Sequence, residues 1–450
     1  MRLLSRLPAR LSGAVPARVS RLSGPVRAVA DGLGSAVTRR ILARTGGVDL
    51  TKLDRVPDRL AWPLLRDGVD PTPRLRAARE QEPVQRLASF MGLELWLITG
   101  YAEAREVLGN VHHSTDIRPY MGSSGDVQTG DIGGLGFTDP PEHTRLRKLL
   151  TPEFTMRRLA RLKPGIDTII ASQLDETEAA ALASPDGVVD LAQTFAFPVP
   201  FRVICDLLGL PADQREKFRK LGSARFDVSA GGAGSISAIG GSREFLLAET
   251  ARQRHDPGPG LIGQIIRDNG EAINDFDLGG LADGAFNGGM ETSASMLALG
   301  TVVLLQQPHL WKQLAEEPDA VDDIVEELLR QLAVVQIAFP RFAKEDVVVG
   351  GRRIRKGSVM LVHLPVASRD PGSTPGEALC PSPASSQHLA FGHGLHRCVG
   401  AELARMELRA AYPALARRFP DMRLAVDPAD LEFHAKSIVF GLEALPVRLS

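Results

Sequence analysis

Residues 391–400 read Phe-Gly-His-Gly-Leu-His-Arg-Cys-Val-Gly, and the ten residues after them, Ala401 to Ala410 (AELARMELRA), keep helical spacing without glycine or proline. Cys398 therefore sits at the start of a predicted helix. The positive end of a helix dipole and its unpaired N–H groups favour a thiolate there over a thiol. Gly392, Gly394 and Gly400 permit close backbone approach to a flat, large group, or backbone angles closed to other residues. A thiolate on such a loop, with cationic side chains beside it, suits an iron porphyrin: sulfur to the metal, cations to the propionates.

Upstream, three further stretches carry a chemical pattern. Asp139-Pro140-Pro141-Glu142-His143-Thr144-Arg145-Leu146-Arg147 opens a helix, with prolines and acids at its start. His143 and Arg147 are four apart and share a face, which either binds two carboxylates or is a solvated charged surface. Glu327-Leu328-Leu329-Arg330 puts opposite charges three apart on a helix, a pattern that alone says little. Phe286-Asn287-Gly288-Gly289-Met290-Glu291-Thr292-Ser293 lies inside a very long helical pattern, Asp275 to Leu305. Two glycines there cost about 1 kcal/mol each relative to alanine. That cost fits either tight helix packing or approach to a flat ligand, with Glu291 and Thr292 placed to deliver protons.

Taken in order, these strings resemble the cytochromes P450. The resemblance implies a mostly α fold with small β-sheets (α+β), one large domain, and a haem between the long central helix and the cysteine loop. It implies Cys398 as axial ligand of haem b, in a loop that includes Phe391, Gly392 and His396. His143, Arg147 and Arg341, in Pro340-Arg341-Phe342, are implied as propionate ligands. Gly289 is implied to lie against the haem, and Thr292 with Glu291 to deliver protons. Glu327 and Arg330 would buttress the loop beneath the haem. The family's usual third buttress residue, an arginine, falls on Pro383, a departure from the pattern.

The implied activity is insertion of one oxygen atom from O₂ into a hydrophobic small molecule, by hydroxylation or epoxidation. Electrons would come from NAD(P)H through a separate ferredoxin and its reductase, since the chain shows no flavin-binding or Cys-rich iron–sulfur segment. Arg397, Arg405 and Arg409 are expected to offer cations to an acidic ferredoxin. Three alternatives stand beside this: a peroxide-driven peroxygenase, a non-catalytic haem sensor or electron carrier, and a haem-free partner protein.

Composition agrees with a globular enzyme. The 450 residues are 44% hydrophobic and 24% charged, with net charge −1, which points to no nucleic-acid partner. Three cysteines, Cys205, Cys380 and Cys398, are too few for a disulfide framework and fit a reducing cytoplasm. No run of eighteen apolar residues predicts a transmembrane span. Residues 1–45 differ, with nine arginines, one acid (Asp31) and three prolines. We expect residues 1–50 to form a poorly ordered basic extension, in weak contact with an anionic membrane surface, and 51–450 the enzyme domain. Val84 to Thr99 reads as a hairpin turning at Met91-Gly92. Residues 109–136 read as a long mobile loop, and Ser229 to Gly241 (SAGGAGSISAIGG) as a flexible connection.

Overall fold

The predicted long helix forms as one element of 31 residues, Asp275–Leu305. Its length is about 46 Å at 1.5 Å per residue. Asn274 caps its start by accepting the Asp277 N–H at 2.7 Å, and Asp275 and Asp277 lie in the first turn, at the positive end of the dipole. Leu278, Leu281, Phe286, Met290, Leu297, Leu299 and Val302 are among its many buried residues. Helices Pro198–Leu208, Gly232–His255 and Ala401–Arg418 pack around it. Among the described residues it is the one helix long and apolar enough to cross a membrane. Yet 67% of its most apolar window is buried inside the fold, as a core helix would be.

The computed structural model describes residues 58–90, 93–117, 135–219, 232–372, 375–434 and 436–450. The basic extension 1–50, the Met91-Gly92 turn and residues 118–134 of the long loop lie outside these. The described remainder of that loop is ordered by pairing. His113–Ser114 is an edge strand against Arg341–Ala343. It closes a five-stranded sheet in the order Val84–Phe90, Leu93–Ile98, Val359–Val362, Arg341–Ala343, His113–Ser114. Leu93–Ile98 and Val359–Val362 run parallel and the other pairs antiparallel. Val84, Trp96, Ile98, Met360 and Val362 share a small core on this sheet. A larger apolar cluster runs from Leu146 to Val447 through the helical layer.

One expectation needs correction. The flexible connection Ser229–Gly241 is mostly helix: helix Gly232–His255 begins within it. Glycine lowers helix propensity, but packing along the central helix overrides a local cost of this size. The helix after Cys398 also runs on to Arg418, through Pro413. Its second half is held to the central helix by Tyr412, whose phenol donates to the Met296 carbonyl at 2.5 Å. Gly300 makes room for that phenol: a Cβ at this position would lie 2.0 Å from the Tyr412 oxygen.

Candidate active site

The cysteine loop is folded by its own backbone. The Cys398 N–H donates to the Phe391 carbonyl at 2.8 Å, and the Arg397 N–H to Gly394 at 3.0 Å. Gly392 and Gly394 have φ of 69° and 74°, the left-handed region that favours glycine. Gly394 is required twice over, because a Cβ there would lie 2.7 Å from the Leu108 carbonyl and from Gly109. The sequence therefore sets Cys398 immediately before helix Ala401–Arg418, with the loop seated against helix Tyr101–Gly109.

Cys398 is accessible yet deep. Burial pushes its thiol up from the ordinary value, against the Gly400 N–H and the charges of Arg147, Arg397 and Arg405. A metal cation on the sulfur supplies what burial removes.

The predicted carboxylate-binding residues come together from three elements. His143 lies on helix Glu142–Leu150, Arg341 at the start of strand Arg341–Ala343, and His396 in the cysteine loop. The His143 and His396 rings are 4.2 Å apart. His143 is 2% exposed, and neither ring nitrogen has a hydrogen-bond partner. Arg341 is buried, and one of its guanidinium nitrogens donates to the Phe339 carbonyl at 2.6 Å. Arg147 is half-buried and reaches the Leu395 carbonyl at 3.5 Å. Burial, followed by the other cations, pulls His396 down to about 3 and also lowers His143. Burial lowers Arg341 to about 10. Buried donors gathered around one another in this way match a dianionic ligand such as the two propionates of a haem.

Sequence reasoning missed the group that orders this cluster. Asp139 accepts the Ser114 hydroxyl at 2.7 Å, the Thr115 N–H at 3.0 Å and Lys344 at 2.9 Å. Burial pushes its carboxyl up, but these bonds carry it below its usual range. Thr115 in turn lies 3.4 Å from His396. The only sequence signal was the acid at the start of the His143 helix.

On the central helix, Gly284, Ala285, Gly288, Gly289, Glu291 and Thr292 are accessible while their neighbours are buried. Their spacing of about four residues makes one strip along the helix. A Cβ on Gly284 or Gly288 would meet nothing within 4 Å, so the strip borders open space. On Gly289 it would lie 2.9 Å from Ile204, so this glycine also serves packing. The Thr292 hydroxyl donates to the Gly288 carbonyl at 2.6 Å, which leaves its lone pairs available as acceptors.

The buttress is complete without the expected arginine. Glu327 and Arg330 are fully buried and joined by bonds of 2.7 and 2.8 Å. Arg330 donates to the carbonyls of Ser368 (3.2 Å), Gly376 (2.5 Å) and Ala378 (3.0 Å). Glu327 accepts the Cys380 N–H at 2.8 Å and the Gln331 amide at 3.3 Å. Pro383 starts a single 3₁₀ turn, Pro383–Ser386, capped by Ser382. Backbone N–H and Gln331 thus occupy the acceptor sites that an arginine would have taken.

A model of the family described as Cytochrome P450 matches residues 261–373. Cytochrome P450 165C4 of Amycolatopsis orientalis is 38% identical over 380 residues, covering 82% of this chain and 92% of that protein. The chain belongs to the cytochrome P450 family. The 6-deoxyerythronolide B hydroxylase of Saccharopolyspora erythraea is 35% identical over 389 residues, covering 82% and 94% of the two chains. The solved structure of the cytochrome P450 StaH of glycopeptide antibiotic biosynthesis superposes with a TM-score of 0.75 at 39% identity, covering 86% of this chain and 98% of that one. The fold is therefore the cytochrome P450 fold, mostly helical with small sheets. The protein is an oxidoreductase of the monooxygenase type, and its family implies a haem with a cysteine thiolate ligand.

One cation expectation is corrected by the site. Arg405 is 9% exposed and bound by Glu326 at 2.6 and 2.8 Å, and Arg409 is ion-paired to Asp322 at 2.8 Å. Arg397 alone of the three remains an exposed cation beside the loop.

Proposed function

We propose that this enzyme binds haem b through Cys398 and inserts one oxygen atom of O₂ into a hydrophobic small molecule. The observation that carries the reading is the buried His143, unpartnered at both nitrogens, with its ring 4.2 Å from that of His396 in the loop that holds Cys398. The haem, when bound, supplies the activation of O₂ that no side chain can. The protein does the rest. Cys398 supplies a thiolate through Sγ. His143, Arg147, Arg341 and His396 hold the propionates, and Asp139 fixes their geometry through Thr115. Phe391 and Gly392 shape the loop. Gly289 and its neighbours keep the central helix flat toward the reacting face, and Thr292 with Glu291 moves protons to it. Apolar surroundings exclude water.

Two electrons per turnover come from NAD(P)H through a ferredoxin and its reductase in the cytoplasm. The substrate borders the accessible glycine strip of the central helix, and relatives named 6-deoxyerythronolide B hydroxylase and for glycopeptide antibiotic biosynthesis favour a large natural product. The test is spectral and chemical. Reduced enzyme with CO should give the red-shifted Soret band of thiolate ligation. A library of macrolactones, peptides, terpenoids and fatty acids should contain compounds that shift the resting Soret band and yield oxygenated product with ferredoxin, reductase and NADPH. A CO complex lacking that band would refute the ligand assignment. Product formation with peroxide alone, and none with the electron-transfer chain, would replace the monooxygenase reading by a peroxygenase.

A further inference from the structure

Arg405 was expected at the surface and is instead locked inside. Its guanidinium binds both oxygens of Glu326 and also Glu402, at 3.0 Å. Glu326, on helix Val321–Leu332, is 7% exposed and receives a second partner, His388, at 3.2 Å. Burial pushes the Glu326 carboxyl up, but Arg405 and His388 together carry it down to about 2, so it is ionised throughout the neutral range. The fourth member is Phe391. Arg405 stands 4.7 Å from its ring centroid and His388 5.8 Å. Phe391 in turn holds Cys398, because its carbonyl accepts the Cys398 N–H at 2.8 Å. A buried ion pair of this kind contributes little net stability compared with an apolar replacement. Its position, behind the ring that backs the cysteine, points to another use.

We propose that Glu326 and Arg405 form a positioning pair that sets the electrostatic potential at the Cys398 sulfur. The inference rests on Cys398 being the iron ligand. Arg405 orients Phe391 through its cation–π contact, and its charge reaches the sulfur across low-dielectric protein. Glu326 cancels that charge, so the thiolate keeps the electron density it donates to iron. Without Glu326 only the half-exposed Glu402 still faces Arg405, and the under-compensated cation would favour the electron-rich, reduced iron.

The test is the reduction potential of the haem-loaded enzyme, read by spectroelectrochemical titration beside the CO spectrum. Glu326→Gln keeps the shape, removes the negative charge and leaves one oxygen to accept from Arg405. It should shift the potential positive while the thiolate CO band is retained. Arg405→Gln should shift it negative. The double variant Glu326→Gln/Arg405→Gln should return close to wild type, because the two charges leave together. A merely structural pair would instead give damage that accumulates in the double variant, and that result overturns the proposal. So does an unshifted potential in Glu326→Gln with its CO band intact. If Glu326→Gln fails to hold haem, Arg405→Gln decides: a potential that is unshifted or moves positive counts against the pair. A wild-type CO complex without the thiolate band would refute the ligand reading itself.

Discussion

Glu327 and Arg330, three residues apart on one helix, form a two-point ion pair from which water is excluded entirely. Three carbonyls from residues 368–378 hang on Arg330, and one N–H on Glu327. Removing one partner leaves the other charge buried and the carbonyls unpaired. Arg330→Leu should therefore cost about 3–5 kcal/mol and lower haem content in the purified protein. Thermal unfolding and the haem-to-protein absorbance ratio measure both. A variant of wild-type stability would show that the pair is dispensable.

Cys398 is expected to be the axial ligand. Cys398→Ser should abolish the thiolate CO band. Cys205→Ala and Cys380→Ala should keep it: Cys205 is buried in the helical core, and Cys380 is spent, through its backbone, on the buttress. Loss of the band in either alanine variant would move the assignment.

Thr292 is expected to govern coupling. Its hydroxyl donates to Gly288, which leaves its lone pairs available to a donor on the open strip. Thr292→Ala should retain haem and substrate binding but release hydrogen peroxide in place of product. The measurement is product and peroxide per NAD(P)H oxidised, and unaltered coupling would remove Thr292 from the proton path.

Glu407, on the cysteine helix, is 3% exposed with one carboxyl oxygen unpartnered, and burial pushes its carboxyl up to about 8 from 4.5, against a bond to Ser293. A carboxyl raised on folding holds its proton in the native state while the unfolded chain releases it. Its contribution to stability is thus neutral below about pH 4.5, grows unfavourable up to about pH 8 and is level beyond. Glu407→Gln should stabilise the fold at neutral pH, by on the order of 4 kcal/mol at most, with no gain near pH 4. Denaturant melts across this range read the slope; a gain equal at all pH values would mean that the native carboxyl is not protonated.

The long helix, the hairpin, the helix–loop positions of His143 and Cys398 and the Glu-x-x-Arg pair were legible because each is local: a period, a cap, a spacing. What escaped was settled by packing. Arg405 reads as a surface cation until Val321–Leu332 brings Glu326 onto it. Asp139 reads as a helix-start acid until strand His113–Ser114 delivers Ser114 and Thr115. Pro383 marked a missing arginine, while the replacement donors, a backbone N–H and a glutamine amide, leave no trace in a motif.

The cluster of His143, His396, Arg341 and Arg147 has a consequence for the life of the chain before it is an enzyme. These groups lose hydration on folding and regain little of it from the protein. A dianion bound there returns that loss, so prosthetic-group binding and folding are thermodynamically linked. The polypeptide's half-life in the cell should then follow the supply of that group, with unfilled molecules opening first where the propionates would lie and reaching proteases ahead of filled ones.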